Sequence, residues 1–157
     1  MKKLFLLLSI LLSVGLLVSC SDESSESVAE NSITVTFDNV AVVNGVVYAT
    51  KDYPLKINSM VLSSSDGETK CISEAKYSID SQVSDSAHYT PFSGRINTTD
   101  IPVGNHTLEL AFDLLQNDNS SVPDDIVYSI VVVDDLSDLP QNAELGTLTR
   151  TFRATHA

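Results

Sequence analysis

The sequence has 157 residues, with 21 acidic and 9 basic side chains and a formal net charge of −12 at pH 7. A chain this acidic lacks the basic surface that nucleic-acid binding requires, so we expect no nucleic-acid partner. The two cysteines, Cys20 and Cys71, are too few for a disulfide framework if the first one carries another group.

The chain opens with a basic and then an apolar segment. Lys2 and Lys3 precede an apolar run over residues 4–18, which is shorter than the roughly 20 residues of a membrane-spanning helix. Charge and length together are typical of a signal peptide, here residues 1–19. The run ends in Leu-Val-Ser-Cys, which resembles the lipobox of bacterial lipoproteins. The resemblance implies cleavage before Cys20, fatty acylation of it, for example with palmitate, and attachment to the outer membrane. An uncleaved anchor with a chance cysteine is the alternative.

Residues 20–32 are predicted to be the lipidated cysteine followed by a flexible linker. Within residues 21–32, only Val28 and Ala29 are apolar, too few to bury a core. The acidic stretch 21–26 resembles the surface-export signal of lipoproteins in some Gram-negative bacteria. That resemblance implies exposure on the cell surface, and a merely solvated tether is the alternative. The mature chain would keep 7 basic and 21 acidic residues, so we expect the lipid, rather than surface charge, to hold the protein on the membrane.

Residues 33–135 are predicted to form one β-rich domain. Apolar and polar residues alternate in several short segments. Asn44 and Gly45 are the preferred pair of a type I′ turn and predict a hairpin. The strands predicted in the first half are residues 33–37, 40–43, 46–49, 55–63 and 71–80.

The second half has longer polar interruptions. Residues 81–91 and 114–125 are predicted to be loops, and 92–99 a strand of less regular pattern. The clearest strand begins near residue 105, and 126–133 is apolar on both faces, as in a central buried strand. Inward-facing residues of the clearest strand are predicted to be His106, Leu108, Leu110 and Phe112. Residues 136–157 are predicted to be a C-terminal edge strand or a tail, with Leu148 and Phe152 on one face if the strand forms.

About seven β-segments without a helical period predict an all-β sandwich. Three stretches resemble bacterial immunoglobulin-like domains: Tyr-Ser-Ile-Asp at 77–80, Pro-Phe-Ser-Gly at 91–94 and Val-Gly-Asn-His-Thr-Leu-Glu-Leu at 103–110. The resemblance covers about residues 33–134 and implies an immunoglobulin-like antiparallel β-sandwich. The chain has no Trp and lacks the inter-sheet disulfide of antibody domains. The resemblance implies a fold and no particular activity.

No motif of a known catalytic class occurs in the sequence, so we expect no enzyme and no cofactor. His106 lies at the start of its strand with inward parity, which favours a hydrogen-bonded structural histidine. Cys71 shares parity with Ala75 and is predicted to be a small buried hydrophobe, with a reactive thiol as the alternative.

Two binding hypotheses remain for the loops. Tyr53, His88 and Tyr89 are the loop side chains that could contact a glycan. We expect no metal site. Calcium prefers several oxygen ligands, so the acidic loop residues are the candidates if a site exists. These candidates are Asp66, Glu68, Asp118, Asp124 and Asp125.

The combined expectation is a non-catalytic lipoprotein of the cell envelope, lipid-anchored in the outer membrane and exposed at the surface. Its immunoglobulin-like module would serve binding, adhesion or assembly, with a protein or glycan partner. The alternative is a glycan-binding accessory lipoprotein of a polysaccharide-uptake system. An exposed tyrosine platform would favour the alternative, whereas a long unpaired strand edge would favour adhesion or assembly.

Overall fold

A computed structural model describes residues 31–65 and 69–153. The predicted signal peptide and Cys20 lie outside the described residues, as do the calcium candidates Asp66 and Glu68. Within them the chain forms nine strands and no α-helix. The strands are β1 (Ser32–Val43), β2 (Val46–Thr50), β3 (Leu55–Ser63), β4 (Thr69–Ile79), β5 (Gln82–Ala87), β6 (Gly94–Ile96), β7 (Gly104–Gln116), β8 (Ser121–Val133) and β9 (Gly146–Arg153). Short 3₁₀ turns at Leu136–Asp138 and Pro140–Asn142 precede β9.

The strands form two sheets that share β1. The first sheet has the order β9-β1-β3-β6, and the second has the order β5-β4-β7-β8-β2. All pairs are antiparallel except β2 with β8, which is parallel. Because β3 pairs with β6 and β4 pairs with β7, the chain crosses between the sheets in the Greek-key manner of immunoglobulin-like sandwiches. The predicted fold class, an all-β immunoglobulin-like sandwich, is confirmed.

β1 passes from one sheet to the other at a bend near Asn39. Its register shifts before Phe37 and again before Val40, and Asn39 has a φ of 59°, which asparagine tolerates better than most residues. The predicted hairpin follows directly. Asn44 and Gly45 have φ values of 51° and 80°, as a type I′ turn requires, and residues 41–43 pair with 46–48. This prediction is confirmed.

The core lies between the two sheets. Alternate residues of β7 point into it, and Leu108, Leu110 and Phe112 are buried there as predicted. Tyr128 of β8 joins the sheets: its ring stacks on Phe37 at a centroid distance of 5.9 Å and meets Phe152 edge-on at 5.7 Å. Aromatic pairs of this geometry stabilise a core beyond the area they bury.

Two predicted loops are wrong over most of their length. Residues 82–87 form β5, an edge strand whose residues are polar except Val83 and Ala87, so its sequence has no apolar period to detect. The predicted loop 114–125 is mostly paired strand, because β7 runs to Gln116 and β8 starts at Ser121. Backbone pairing here continues past the point where the side chains become polar.

Side-chain parity in β4 also differs from the prediction. Cys71 is exposed, whereas Ile72 is buried. The reason is an extra residue: Ile72 pairs with Leu114, but Glu74 pairs with the next residue of β7. Such a bulge inverts the alternation of the residues before it, here Cys71 and Ile72. A second register shift lies between Thr69 and Cys71. After the bulge, Ala75 and the following alternate residues face inward as predicted.

The last two strands, β8 and β9, can also be compared with the strands predicted from the sequence. β8 is central only where β2 covers it, from Ile130 onward. Val127 precedes that point and is 61% exposed, so the prediction of a strand buried on both faces is wrong there. The C-terminal segment, predicted to be an edge strand or a tail, contains β9, which pairs with β1 and places Leu148 and Phe152 against the core.

Candidate functional site

The three loop residues suggested for glycan contact lie on two different loops. Tyr53 lies between β2 and β3, where its carbonyl accepts a hydrogen bond from the Thr98 hydroxyl at 3.3 Å. His88 and Tyr89 lie on the loop from β5 to β6, and the Tyr89 side chain is 85% exposed. Within the described residues, neither tyrosine belongs to an aromatic pair.

The described acidic candidates for calcium are separated in the same way. Asp118 lies in the β7–β8 turn, where its carboxylate accepts hydrogen bonds from the amide and hydroxyl of Ser120 at 2.8 and 2.6 Å. Asp124 is buried, whereas its neighbour Asp125 points to the opposite face and is exposed. No group of three metal-ligating side chains occurs in residues 31–65 and 69–153.

His106 and Asp80 form the most defined polar cluster of the described chain. His106 Nδ1 lies 2.6 Å from Asp80 Oδ2, and Nε2 lies 2.7 Å from the carbonyl oxygen of Pro102. The other oxygen of Asp80 accepts the Thr107 amide at 3.0 Å. Because a carbonyl only accepts, Nε2 carries a hydrogen; because an ionised carboxylate only accepts, Nδ1 carries one as well. The arrangement holds the imidazolium form.

The pKa values follow this geometry. Burial lowers the pKa of His106, but the hydrogen bonds to Asp80 and Pro102 and the charge of Asp80 outweigh it, so the pKa lies above its ordinary value. The Thr107 amide and the His106 ring hold the pKa of Asp80 below its ordinary value. The cluster connects the β4–β5 turn to the start of β7, which is the structural role predicted for His106. Both ring nitrogens of His106 are engaged in hydrogen bonds.

A second cluster secures β6 at the edge of the first sheet. The Tyr77 hydroxyl donates to the carbonyl of Phe92, and burial, with the charge of Asp85 as a smaller cause, raises the pKa of Tyr77. Asp85 accepts the amide of Arg95 at 2.8 Å. The Asp85 side chain of β5 thus occupies one amide at the edge of β6, which makes that amide unavailable to a further strand.

The opposite edge of the first sheet is different. β9 has eight residues and pairs with β1 on one side, while no described strand pairs with its other side. Most of its side chains are exposed. Thr149 and Thr151 form hydroxyl pairs with Thr36 and Thr34 across the β1 ladder, at 3.2 and 2.9 Å. This strand edge is the extended surface that an assembly module would present.

Sequence reasoning identified β9 only as an alternative to a tail, and it named no residue on it as functional. The alternation of Leu148 and Phe152 was the available signal. Nothing in the sequence indicated which side of β9 would be covered, because that depends on the pairing of β1 with both β3 and β9.

Comparison with known proteins adds little to this description. No protein-family model matches the chain, and no curated protein matches it. One similar solved structure is that of the fibronectin(III)-like modules of CbhA from Clostridium thermocellum, with 23% identity and a TM-score of 0.35. The alignment covers 60% of this chain and 96% of that chain. The fold assignment rests on strand order and register, since a similarity at this level carries no argument. No helix among the described residues is long and apolar enough to cross a membrane.

Proposed function

We propose that the protein is a non-catalytic lipoprotein of the cell envelope, anchored in the outer membrane through Cys20 and exposed at the surface. Its immunoglobulin-like module serves binding or assembly, and the partner docks along the outer edge of β9. The anchor part of this proposal is supported by the lipobox and the basic, apolar leader of the sequence. Attachment by more than one acyl chain is stable, which a single chain does not achieve.

The observation that carries the docking part is the eight-residue edge of β9. An unpaired strand edge offers a row of amides and carbonyls to an extended segment of another chain. The pairing of β9 with β1 is continuous from Ser32 to Phe37, so the strand is held straight over that length. A partner strand can therefore add to a preformed template.

Arg150 gives that edge its selectivity. It has the parity of Leu148 and Phe152, which face the core, yet it is exposed. A charge of this kind on an edge strand disfavours indiscriminate pairing. It suits a partner that places a carboxylate opposite it, because oppositely charged cross-strand neighbours attract each other.

Glycan binding through a tyrosine platform has less support. Tyr53 and Tyr89 occupy different loops, and within the described residues their rings do not form an aromatic pair. Flat stacking on a single exposed ring is a smaller contact than known pockets for ligands of this size provide.

Site-specific photocrosslinking in the native cell envelope tests the docking part. A photoreactive residue in place of Thr149 should yield one discrete crosslinked product of the full-length protein. The matched control carries the same residue in place of Thr107, which is exposed on β7 in the second sheet, and should not yield that product.

A substitution of Arg150 tests whether the crosslinked product depends on the charge of the β9 edge. Arg150→Glu, in the background with the photoreactive residue at 149, should weaken the product severalfold, because the edge would then repel the partner's carboxylate. Crosslinking of the same intensity from positions 149 and 107 would contradict docking at β9, and so would the absence of any product from position 149.

A further inference from the structure

Charge is distributed unevenly between the two sheets. The described residues include 15 acidic and 7 basic side chains. The four strands of the first sheet contain one acidic residue, Asp38, and four of the basic ones. Those four are Lys56, Arg95, Arg150 and Arg153. A protein with a large negative net charge thus presents one sheet that is locally cationic.

Two of these cations are direct cross-strand neighbours. Lys56 of β3 pairs with Arg95 of β6, and both side chains are exposed. Directly opposed residues of an antiparallel pair have Cβ atoms about 5 Å apart, and like charges in that position destabilise the sheet. The pair is therefore unfavourable for folding alone, which points to a use for it.

Among the described residues, no carboxylate forms an ion pair with Lys56 or Arg95. Ion pairs in the described chain join Lys51 to Asp134, Lys76 to Glu74 and His106 to Asp80. Asp38 lies opposite Lys56 on the β1 side, but its carboxylate accepts a hydrogen bond from the Thr147 hydroxyl at 3.2 Å. The carboxylate of Asp85 contacts the backbone of Arg95: its two oxygens accept the backbone amides of Ser86 and Arg95, each at 2.8 Å.

The cationic pair lines a cleft. Its volume is about 290 Å³, and Lys56, Asn58, Ser93 and Arg95 contribute to its wall. Asp85 also lines it, with its two carboxylate oxygens accepting main-chain amides. Asn58 reaches it because β3 has a bulge there: Ser59 pairs with Thr36, but Ile57 pairs with the next residue of β1. Bulges often redirect a side chain towards a binding site. The cleft thus combines four groups that can donate hydrogen bonds, two cations, an amide and a hydroxyl, with one carboxylate that is already bonded to main-chain amides.

We propose that this cleft binds the oxyanion group of an acidic sugar, a carboxylate or a sulfate. Arg95 can hold two oxygens of such a group with its planar guanidinium, and Lys56 adds a point charge. Asn58 and Ser93 provide the neutral donors that a sugar hydroxyl or the third oxygen of a sulfate would use. The volume suits about one sugar residue, since pockets for larger ligands start near 300 Å³. The site does not involve β9 or the lipid anchor, so it goes beyond the function proposed above.

Thermal unfolding of the purified full-length protein tests this proposal. Sodium glucuronate and sodium sulfate are compared with sodium chloride at equal ionic strength, so that general screening is the same. A ligand that binds only the folded state raises the melting temperature. We expect glucuronate to raise it above the chloride value, and isothermal titration calorimetry should give a dissociation constant that weakens at least tenfold in Lys56→Gln/Arg95→Gln.

The control variant Lys70→Gln/Lys76→Gln removes the same charge from β4 in the second sheet and should respond like the wild type. Since Lys56 and Arg95 are exposed, the double variant Lys56→Gln/Arg95→Gln should fold. The single variant Lys56→Gln allows the same comparison with only one side chain altered. A response to sulfate as well as glucuronate would show that the oxyanion is sufficient, and a response to glucuronate alone that the sugar ring contributes. A glucuronate response equal in both double variants, or none above chloride in the wild type, would overturn the proposal.

Discussion

The ring of His106 and the carboxylate of Asp80 lie 2.6 Å apart, at the point where the turn after β4 meets the start of β7. The His106 side chain is 8% exposed, and its second ring nitrogen donates to Pro102. Since both ring nitrogens face acceptors, only the charged ring satisfies both. A small, mostly polar turn is thereby fixed to a central strand of the second sheet.

This pair predicts a pH dependence of stability. The pKa of His106 is raised from 6.5, so its contribution is complete below pH 6.5 and is lost as the pH rises through the folded-state pKa. The pKa of Asp80 is lowered from 3.8, so its contribution is complete above pH 3.8 and is lost as the pH falls. We therefore expect the free energy of unfolding to decline above pH 6.5, as measured by urea titration at several pH values.

The variant His106→Gln isolates that effect, because glutamine does not titrate in this range. It should lower the free energy of unfolding by about 1.5–3 kcal/mol below pH 6.5, the usual range for a hydrogen bond to a charged group, and it should flatten the decline above pH 6.5. His88→Gln, on an exposed loop, should leave the profile unchanged. An unaltered slope in His106→Gln would assign the pH dependence to other groups.

Gly94 lies against the buried ring of Tyr77. A Cβ atom at position 94 would lie 2.2 Å from two ring carbons of Tyr77. The ring cannot move away without breaking the hydrogen bond from its hydroxyl to Phe92. Gly94→Ala should therefore lower the free energy of unfolding by about 1–3 kcal/mol or more, as overpacking does.

Gly146→Ala is the matched control, because its Cβ would meet nothing within 4 Å. It should be neutral or stabilise the protein by up to about 1 kcal/mol, since alanine restricts the unfolded chain. Equal stability changes in both variants, measured by chemical denaturation, would be incompatible with the packing of Gly94 on Tyr77.

The bulge in β4 predicts opposite behaviour for two adjacent residues. Cys71 should react with a maleimide in the folded protein nearly as fast as in the unfolded chain, because its side chain is exposed. Ile72→Ala should cost about 2–5 kcal/mol of stability, whereas Cys71→Ala should cost less than about 0.5 kcal/mol. A thiol that reacts only after denaturant is added would restore the simple alternation and contradict the bulge.

The sequence was informative where side-chain chemistry and backbone conformation agree. Asn44 and Gly45 specify their turn, and the alternation of Leu108 and Leu110 specifies the inner face of β7. It was uninformative where pairing alone makes a strand. β5 is nearly all polar and forms because β4 offers an edge, so no apolar period could reveal it.

Strand register was the second feature that could not be predicted from the sequence. One extra residue in β4 exchanged Cys71 and Ile72, and no local signal marks that insertion. The neighbours Lys56 and Arg95 are 39 positions apart in the sequence and meet only through the pairing of β3 with β6. The candidate cleft could not be predicted for that reason, whereas the structural role of His106 could be, because strand parity and position were sufficient.

Lipid anchoring through Cys20 is the core of the proposed function, and metabolic labelling of cells with a palmitate analogue tests it most directly. We predict that the wild-type protein and Cys71→Ala carry the label and fractionate with the outer membrane, while Cys20→Ala carries none and is released or retained uncleaved. Cys71→Ala is the matched control because it removes the other cysteine of the chain. Equal labelling of Cys20→Ala and the wild type would contradict the account.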